Sequence, residues 1–310
     1  MTIGIAATGP RAGAAVHAAV LGAELLGRGA IGGFAVFAVL DAQGQWLHGV
    51  TQRGGIGQLQ IPPAWLDARV AAVISSGPDR PEPLVQFLPG ASGVGLVTGH
   101  RLPNRPGQDG MALNQAVLGR LAAGQAPQAA VDSVLADNAE ADAGLIAVTA
   151  DGELGWANST RVARRSDRGA AHRADATGRL ALLHNSIHAE CGGGLPEVLA
   201  DLAWAQTQGR PAAWRFLRLA RAVAVRPAAH DRVQVDADGA IVALESADPH
   251  LPTLDRRATA VYLGTEVWHD GRLLGHAATE LYADLANGRA QPIPGLAPQT
   301  LLMRGGHVAA

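Results

Sequence analysis

Three short turns with a shared pattern decide the fold that this sequence predicts: LDAQG at residues 40–44, VTADG at residues 148–152 and VDADG at residues 235–239. In each case alternating apolar residues lead into the turn and resume after it, and a glycine closes the turn. This pattern is typical of β-hairpins, because glycine adopts the left-handed backbone of such turns at the least cost. We therefore expect antiparallel hairpins over residues 34–55 and 142–160, with Gly44 and Gly152 in their turns.

The composition is that of a globular protein. Of the 310 residues, 48% are hydrophobic and 17% are charged, which is enough to bury a sizeable core. The net charge of −2, with acidic and basic residues interspersed, provides no basic stripe for nucleic acid and no polybasic anchor for a membrane surface. No apolar run reaches the roughly 20 residues that a membrane-spanning helix needs. We therefore expect neither nucleic acid nor membrane as a partner.

The single cysteine cannot form an internal disulfide, and no charged leader precedes an apolar stretch. These features favour a cytoplasmic protein. The abundance of arginine, alanine and glycine, with no lysine, is typical of a GC-rich bacterial genome.

The remaining secondary structure follows from apolar spacing. Small and branched side chains over residues 2–9 predict a strand buried on both faces. Strand-like alternation dominates from about residue 212, and a final helix is expected near residues 277–286. Helical spacing predicts helices over residues 14–26, 111–122, 128–138 and 195–205.

Hairpin-paired strands with helices in adjacent pairs favour a layered α+β sandwich over an alternating βαβ sheet. No linker of low complexity interrupts the chain, so we expect one domain over residues 1–310, with a weaker boundary near residue 210 as the alternative. No glycine cluster lies between a strand and a helix in the pattern of a dinucleotide or P-loop motif, so no phosphate cradle is expected.

Four segments of the first half of the chain carry a family resemblance. They are the opening strand that begins with Met1-Thr2, GVGLVT at residues 93–98 with the helices up to residue 136, DAGLIAV at residues 142–148, and Asn158-Ser159-Thr160. Their order resembles that of the N-terminal nucleophile (Ntn) hydrolases, in particular uncharacterised bacterial Ntn-like proteins. The resemblance implies a four-layer αββα sandwich, with its core mainly in residues 1–165, that hydrolyses an amide bond at the end of a central strand. It also implies Thr2 and Asn158 as catalytic residues.

The chemistry of an N-terminal threonine is consistent with this role for Thr2. A threonine hydroxyl is a weak nucleophile until a base takes its proton, and a free α-amine with a pKa of about 8 can be that base. Methionine before a small residue is the context in which the initiator is usually removed, which would expose the amine of Thr2. If Met1 is retained, this mechanism fails, and Thr2 is a plain strand residue.

A second group of functional side chains is HNSIH at residues 184–188. A spacing of four brings His184 and His188 to one face in either a helix or a strand. Such a pair can bind a metal ion if a third ligand is near, and the candidates are Glu190, Cys191 and His172.

The same segment can instead form a polar pocket wall in which Asn185 and Ser186 donate hydrogen bonds to a carbonyl oxygen. A structural pair of hydrogen-bonded histidines is the third alternative. We expect His184, Asn185, Ser186 and His188 to bind substrate, without a metal or another cofactor. Because histidine titrates near neutrality, a function that depends on the two histidines should change between about pH 5.5 and 7.5.

Arginine side chains complete the predicted site. His100 and Arg101 follow a buried strand, where a sheet presents side chains to a ligand, and Arg53 lies at the end of the first hairpin. Guanidinium groups at these places suit a carboxylate.

The leading hypothesis is an Ntn-type amidohydrolase acting on a small polar amide or carboxylated compound. The alternatives are a non-catalytic ligand-binding or assembly protein on the same scaffold, and a metal-dependent hydrolase centred on His184 and His188. The expected partner is a small-molecule ligand, and association into a homo-oligomer is left open.

Overall fold

The structure is a computed structural model of the chain and describes residues 1–27, 31–189, 194–209 and 213–305. Contacts divide the chain into two compact units, Met1–Arg210 and Pro211–Ala310. This division lies at the alternative boundary considered above. Whether the two units behave as one domain stays a prediction.

The first unit contains strands and helices in a mixed order. They are β1 (Thr2–Thr8), α1 (Ala12–Leu26), β2 (Ala35–Leu40), β3 (Trp46–Thr51), α2 (Pro63–Leu66), β4 (Val70–Ser76), β5 (Gly90–Ala91), β6 (Gly95–Arg101), α3 (Leu113–Ala122), α4 (Pro127–Asp137), β7 (Ala143–Thr149), β8 (Leu154–Asn158), α5 (Thr160–Ala163), β9 (Arg168–Ala174), β10 (Arg179–Asn185) and α6 (Leu195–Gln208). The helices predicted near residues 14–26, 111–122, 128–138 and 195–205 correspond to α1, α3, α4 and α6.

Six antiparallel strands form the first sheet, in the order β3-β2-β4-β1-β10-β9. The central strand β1 pairs with β4 and β10, so that Thr2 lies opposite both Ser76 and Asn185. Every residue of β1 is buried, as expected for small and branched side chains in a strand covered on both faces. The start of β1 is therefore held between the ends of its two neighbours.

Four antiparallel strands form the second sheet, in the order β5-β6-β7-β8. It stacks on the first sheet, and Thr98 Oγ1 of β6 donates a hydrogen bond to the carbonyl oxygen of Val73 in β4 at 3.0 Å. The backbones of the two sheets approach closely at Gly4 and Gly99, where a Cβ on Gly4 would collide with the carbonyl group of Gly99. Apolar side chains fill the space between the sheets, including those of Val36, Ile74, Leu96, Ile146 and Leu183.

Helices cover the outer faces of both sheets. Helices α1 and α6 pack against each other and on the first sheet, whereas α3 and α4 pack on the second sheet. The α+β class is therefore confirmed. In the described ranges, no helix combines the length and the apolar character that crossing a bilayer requires.

The predicted hairpins are confirmed. Strands β2 and β3 pair antiparallel around Gly44, which has a φ of 72°, and β7 and β8 pair around Gly152, which has a φ of 92°. Such left-handed backbone is the reason that glycine closes both turns.

The second unit contains a mixed sheet of ten strands, in which most neighbours pair antiparallel and β12–β14 and β13–β16 pair parallel. The strand order is β11-β20-β17-β16-β13-β14-β12-β19-β18-β15. Its strands are β11 (Trp214–Leu219), β12 (Val223–Pro227), β13 (Arg232–Val235), β14 (Ile241–Ser246), β15 (Arg256–Val261), β16 (Glu266–His269), β17 (Arg272–Ala277), β18 (Leu281–Ala286), β19 (Arg289–Gln291) and β20 (Gln299–Gly305). The third hairpin, β13–β14, turns at Gly239 as predicted. The helix expected near residues 277–286 is wrong, because Leu281, Ala283 and Leu285 are buried at the period of a strand.

Candidate functional site

Polar side chains converge between the two sheets of the first unit, near the start of β1. The first sheet contributes Thr2, Ser76 and Asn185, and the second sheet contributes His100 and Asn158. We call these five residues the inter-sheet site. All lie on the faces that the two sheets turn towards each other, because they share the strand alternation of buried inter-sheet residues such as Ala6, Leu96 and Leu183.

Thr2 is 5% exposed, and its hydroxyl oxygen lies 3.1 Å from that of Ser76. Ser76 donates its own proton to the carbonyl oxygen of Met1 at 2.5 Å and accepts a hydrogen bond from Arg80 Nη2 at 2.6 Å. A serine hydroxyl has one proton and two acceptor positions. The Thr2 hydroxyl must therefore donate to Ser76, which is left with no free position.

The α-amine of Met1 lies in the same region. Its pKa is lowered from the ordinary value, first by burial and then by the positive charges of Arg80 and Arg101, while the charge of Asp167 opposes the shift. An amine at this place loses its proton more readily than an amine in water.

His100 and Asn158 approach each other across β7. His100 is fully buried, and its Nε2 lies 2.7 Å from Asn158 Oδ1. Burial lowers the pKa of His100 to about 4, so the ring is neutral at neutral pH and its Nε2–H donates to the amide oxygen. The amide nitrogen of Asn158 is then the group left to face a ligand.

Asn185 approaches His100 from the opposite sheet and opposes part of this pKa shift. Its amide nitrogen donates to Ser186 Oγ at 3.3 Å. Asn185 Oδ1 and His100 Nδ1 are buried, and neither has a hydrogen-bond partner in the described part of the chain. The inter-sheet site thus contains acceptor atoms that a ligand could satisfy.

Arg101 lies beside the site in a network that the sequence analysis missed. Its Nη2 donates to Asp167 Oδ1 at 2.7 Å and its Nη1 contacts Asp142 Oδ1 at 3.3 Å. Asp167 also accepts from Arg165 Nε at 2.9 Å and from Ser186 Oγ at 2.5 Å. The hydrogen bonds from Arg165 and Ser186 are the main cause that holds the pKa of Asp167 well below its usual range.

His184 faces away from the inter-sheet site, towards the helices, because successive residues of β10 point to opposite faces. The expectation that Asn185 and His184 line one pocket is therefore wrong. His184 and His188 do line one cavity of about 310 Å³, together with Asp167, Arg168 and Pro196.

Within the described residues, neither ring nitrogen of His184 has a hydrogen-bond partner. Burial, and then the nearby His188, lower the pKa of His184 to about 4. The window of about pH 5.5 to 7.5 that ordinary histidines predict does not apply to this side chain.

The proposed third ligands do not complete a metal site here. His172 pairs with Ala181 and contacts Trp156 between the sheets, on the face opposite to His184. Glu190 and Cys191 lie outside the described residues. In the described ranges, no three side chains of His, Cys, Asp or Glu are grouped to hold a metal ion.

Arg53 also lies apart from the inter-sheet site. It forms an exposed ion pair with Asp79 at 2.6 Å. Its neighbour Gln52 exchanges hydrogen bonds with the backbone of Arg80. The first hairpin therefore supports the segment that carries Arg80, which donates a hydrogen bond to Ser76 of the inter-sheet site.

Comparison with known families assigns the chain. A family model described as a domain of unknown function (DUF6963) matches residues 2–216, more than two thirds of the chain. The chain belongs to the DUF6963 family. All residues of the inter-sheet site lie in the DUF6963 segment, and a second domain of unknown function (DUF7259) matches residues 222–297.

Comparisons with solved structures and with curated proteins add little to this family assignment. The glutamine phosphoribosylpyrophosphate amidotransferase of B. subtilis, solved with ADP and GMP, is similar with a TM-score of 0.36 and 10% sequence identity, over 59% of this chain and 41% of that chain. This DUF6963 chain thus spans about two fifths of the amidotransferase, and such low similarity does not establish a shared fold. The comparison with curated proteins gives no match.

Proposed function

We propose that this chain is an Ntn-type amidohydrolase in which Thr2, freed by removal of Met1, is the nucleophile. The observation that carries the proposal is the place of Thr2: its hydroxyl lies at the start of the central strand, between two stacked sheets. The helix–sheet–sheet–helix order of the first unit supports an αββα sandwich of the Ntn type.

Processing would change the bonding of the nucleophile. Ser76 donates its proton to the Met1 carbonyl oxygen, which leaves with Met1. The Ser76 hydroxyl then regains a free proton next to Thr2, and the new α-amine lies one residue closer to the hydroxyl that it must deprotonate. A surrounding that lowers the pKa of an amine at this end of the strand favours its action as a base near neutral pH.

The proposed reaction has two stages. As Thr2 Oγ1 attacks the amide carbon, the α-amine takes the hydroxyl proton; it then passes this proton to the leaving nitrogen when the C–N bond breaks. Water next attacks the Thr2 ester and gives a proton to the amine, and the carboxylic acid leaves as Oγ1 regains that proton.

Asn158 is the candidate donor to the oxyanion, because the amide nitrogen of Asn185 already donates to Ser186 Oγ. His100 occupies the amide oxygen of Asn158, which orients the Asn158 amide nitrogen as a donor. Arg80 places positive charge beside the site and is the candidate partner of a substrate carboxylate, whereas the guanidinium of Arg101 is already paired with Asp167 and Asp142.

Intact-mass spectrometry tests the first step, and loss of the mass of Met1 is expected. A β-lactone probe, which acylates an activated hydroxyl, should then label Thr2. It should label neither Thr2→Ala nor a variant in which an added residue prevents the removal of Met1. Release of ammonia from L-glutamine and L-asparagine, and of amino acid from N-acyl amino acids, would define the substrate. Retention of Met1 in the intact mass would overturn the proposal, and so would full labelling of Thr2→Ala.

A second candidate function is non-catalytic ligand binding in the cavity between His184 and His188. The unpartnered ring of the buried His184 favours it, because buried polar groups normally have a partner. Imidazole and Zn²⁺ are suitable probes for titration calorimetry. If Met1 is retained in the intact mass and imidazole binding is lost in His184→Ala, ligand binding is favoured over the amidohydrolase. If Zn²⁺ binding is lost instead, the metal-dependent hydrolase centred on His184 and His188 is favoured.

A further inference from the structure

Two strands that bring side chains to the inter-sheet site end in the same uncommon way. Arg101 at the end of β6 has a φ of 63°, and Ser186 after β10 has a φ of 54°. Non-glycine residues adopt this left-handed backbone at a cost of about 1 kcal/mol and keep it only where the surroundings fix it. Each residue directly follows a member of the site, His100 in one case and Asn185 in the other.

One residue contacts both of these turns. Asp167 accepts a hydrogen bond from Arg101 Nη2 at 2.7 Å and from Ser186 Oγ at 2.5 Å. Its backbone carbonyl oxygen also accepts from the Ser186 N–H at 2.6 Å. Because β6 belongs to the second sheet and β10 to the first, Asp167 connects the two sheets at the place where their polar side chains meet.

The carboxylate of Asp167 is suited to this role. Arg165 adds a hydrogen bond at 2.9 Å, and the surrounding donors keep the acid ionised across the physiological range of pH. The negative charge also acts on the α-amine at the start of β1, where it opposes the effect of Arg80 and Arg101.

We propose that Asp167 is a positioning residue of the inter-sheet site, which fixes the turns after His100 and Asn185 and thereby holds these two side chains at their places around Thr2. Only the expected effect on the acylation of Thr2 rests on the proposed function. The positioning role itself rests on the two turns and on Asp167, the partner that they share.

Asp142 provides a matched control. It is also a carboxylate that contacts Arg101, at 3.3 Å, but within the described residues it forms no hydrogen bond with Ser186. Asp142→Asn therefore removes a charge of the same kind beside the same arginine, while the turn after Asn185 keeps its partner.

The experiment compares Asp167→Asn with Asp142→Asn by amide hydrogen exchange and by NMR of the Asn185 side-chain amide. In Asp167→Asn we expect Ser186 amide exchange to be about tenfold faster and the Asn185 signal to move or broaden, and in Asp142→Asn neither change. β-Lactone acylation of Thr2 should slow by about tenfold or more only in Asp167→Asn, because the groups around the nucleophile lose their alignment. The pKa of the α-amine, from the pH dependence of acylation, should fall in Asp167→Asn alone.

A glycine at position 186 keeps the test decisive if Asp167→Asn folds poorly. Glycine adopts left-handed backbone at low cost, so Ser186→Gly should retain the turn, and adding Asp167→Asn to it should disturb Asn185 less than in the wild-type background. Unchanged Ser186 exchange and Asn185 signals in Asp167→Asn, or equal effects of Asp142→Asn, would overturn the proposal. Absence of acylation in the wild type would refute the proposed function instead, and the exchange and NMR measurements would still decide the role of Asp167.

Discussion

The side chains of His100 and Asn158 are hydrogen-bonded at 2.7 Å although a third strand separates their own. His100 on β6 and Asn158 on β8 both lie opposite Gly144 on β7. A Cβ at Gly144 would collide with Asn158 Oδ1 and with His100 Nε2. The absence of a side chain at residue 144 is therefore what lets the histidine and the amide meet.

Gly144→Ala should break this bond. The added methyl group must displace two buried polar side chains, so we expect the free energy of unfolding to fall by about 2–4 kcal/mol in denaturant titrations. Gly119→Ala is the matched control, because a Cβ there contacts nothing and the residue lies in the exposed part of α3. Helix propensity predicts that Gly119→Ala raises stability by up to about 1 kcal/mol. A Gly144→Ala variant as stable as the wild type would show that the bond is not constrained by residue 144.

Thr2→Ala should abolish amide hydrolysis and β-lactone labelling while the melting temperature changes by only a few degrees. The substitution removes one hydroxyl and its hydrogen bond to Ser76, which is worth about 1 kcal/mol. Thr8→Ala is the control, since Thr8 is also buried and lies at the other end of the same strand. Thr8→Ala should keep full activity. Activity that survives in Thr2→Ala would exclude Thr2 as the nucleophile.

Acid should destabilise the protein through buried histidines. The pKa values of His17, His100 and His184 are each lowered to about 4, chiefly by burial. The unfolded chain therefore binds more protons than the folded chain between the ordinary value of about 6.5 and pH 4, and stability falls as the pH falls through this window. Each site contributes on the order of 2 kcal/mol.

Denaturant titrations at about pH 7 and 4.5 measure this loss. His184→Gln should reduce the loss, whereas His188→Gln should reduce it much less, because burial is a larger cause of the lowered pKa of His184 than the nearby His188. An equal loss of stability in His184→Gln and in the wild type would contradict the lowered pKa of His184.

Glu24 should have the opposite dependence on pH. Burial raises its pKa to about 7, while its carboxylate accepts hydrogen bonds from Ser75 Oγ at 2.7 Å and from the Ile56 N–H at 3.0 Å. The folded chain then binds more protons than the unfolded chain between about pH 4.5 and 7, so this contribution to stability is lost as the pH rises through that window.

Glu24→Gln keeps an acceptor oxygen and removes the titration. Relative to the wild type it should gain on the order of 2 kcal/mol of stability between about pH 5 and 7.5. Glu140→Gln, which replaces an exposed carboxyl group, should show no such relative gain. If the stabilities of the wild type and of Glu24→Gln change in parallel with pH, a raised pKa of Glu24 is ruled out.

Local patterns predicted most of the fold of the first unit. The hairpins around Gly44 and Gly152 follow from alternation and from the backbone that glycine permits, both of which depend on a few adjacent residues. Strand β18 was mistaken for a helix because alanine and leucine favour helices, although Leu281, Ala283 and Leu285 alternate. Tertiary pairing overrode the intrinsic preference there.

The site was predicted less completely, because its contacts join distant parts of the chain. Ser76 and Asp167 carry no local signal of their roles: Ser76 is one hydroxyl at a strand end, and Asp167 belongs to a charged run that is typical of a solvated loop. His184 and Asn185, both expected to bind substrate, lie on different faces for a simpler reason. Adjacent residues of a strand point in opposite directions, and β10 continues through Asn185.

The close approach of Gly4 and Gly99 has a consequence for how this protein could acquire new specificity. A Cβ at Gly4 would collide with the backbone of Gly99, so a larger residue at position 4 would wedge the sheets apart, whereas a Cβ at Gly99 would point the other way, towards Gly144 and Pro103. The separation of the sheets at Gly4 is therefore set by backbone and not by a side chain that could be exchanged. Adaptation to bulkier molecules would have to come from the segments that follow β4 and β6, which can change length without disturbing the paired strands.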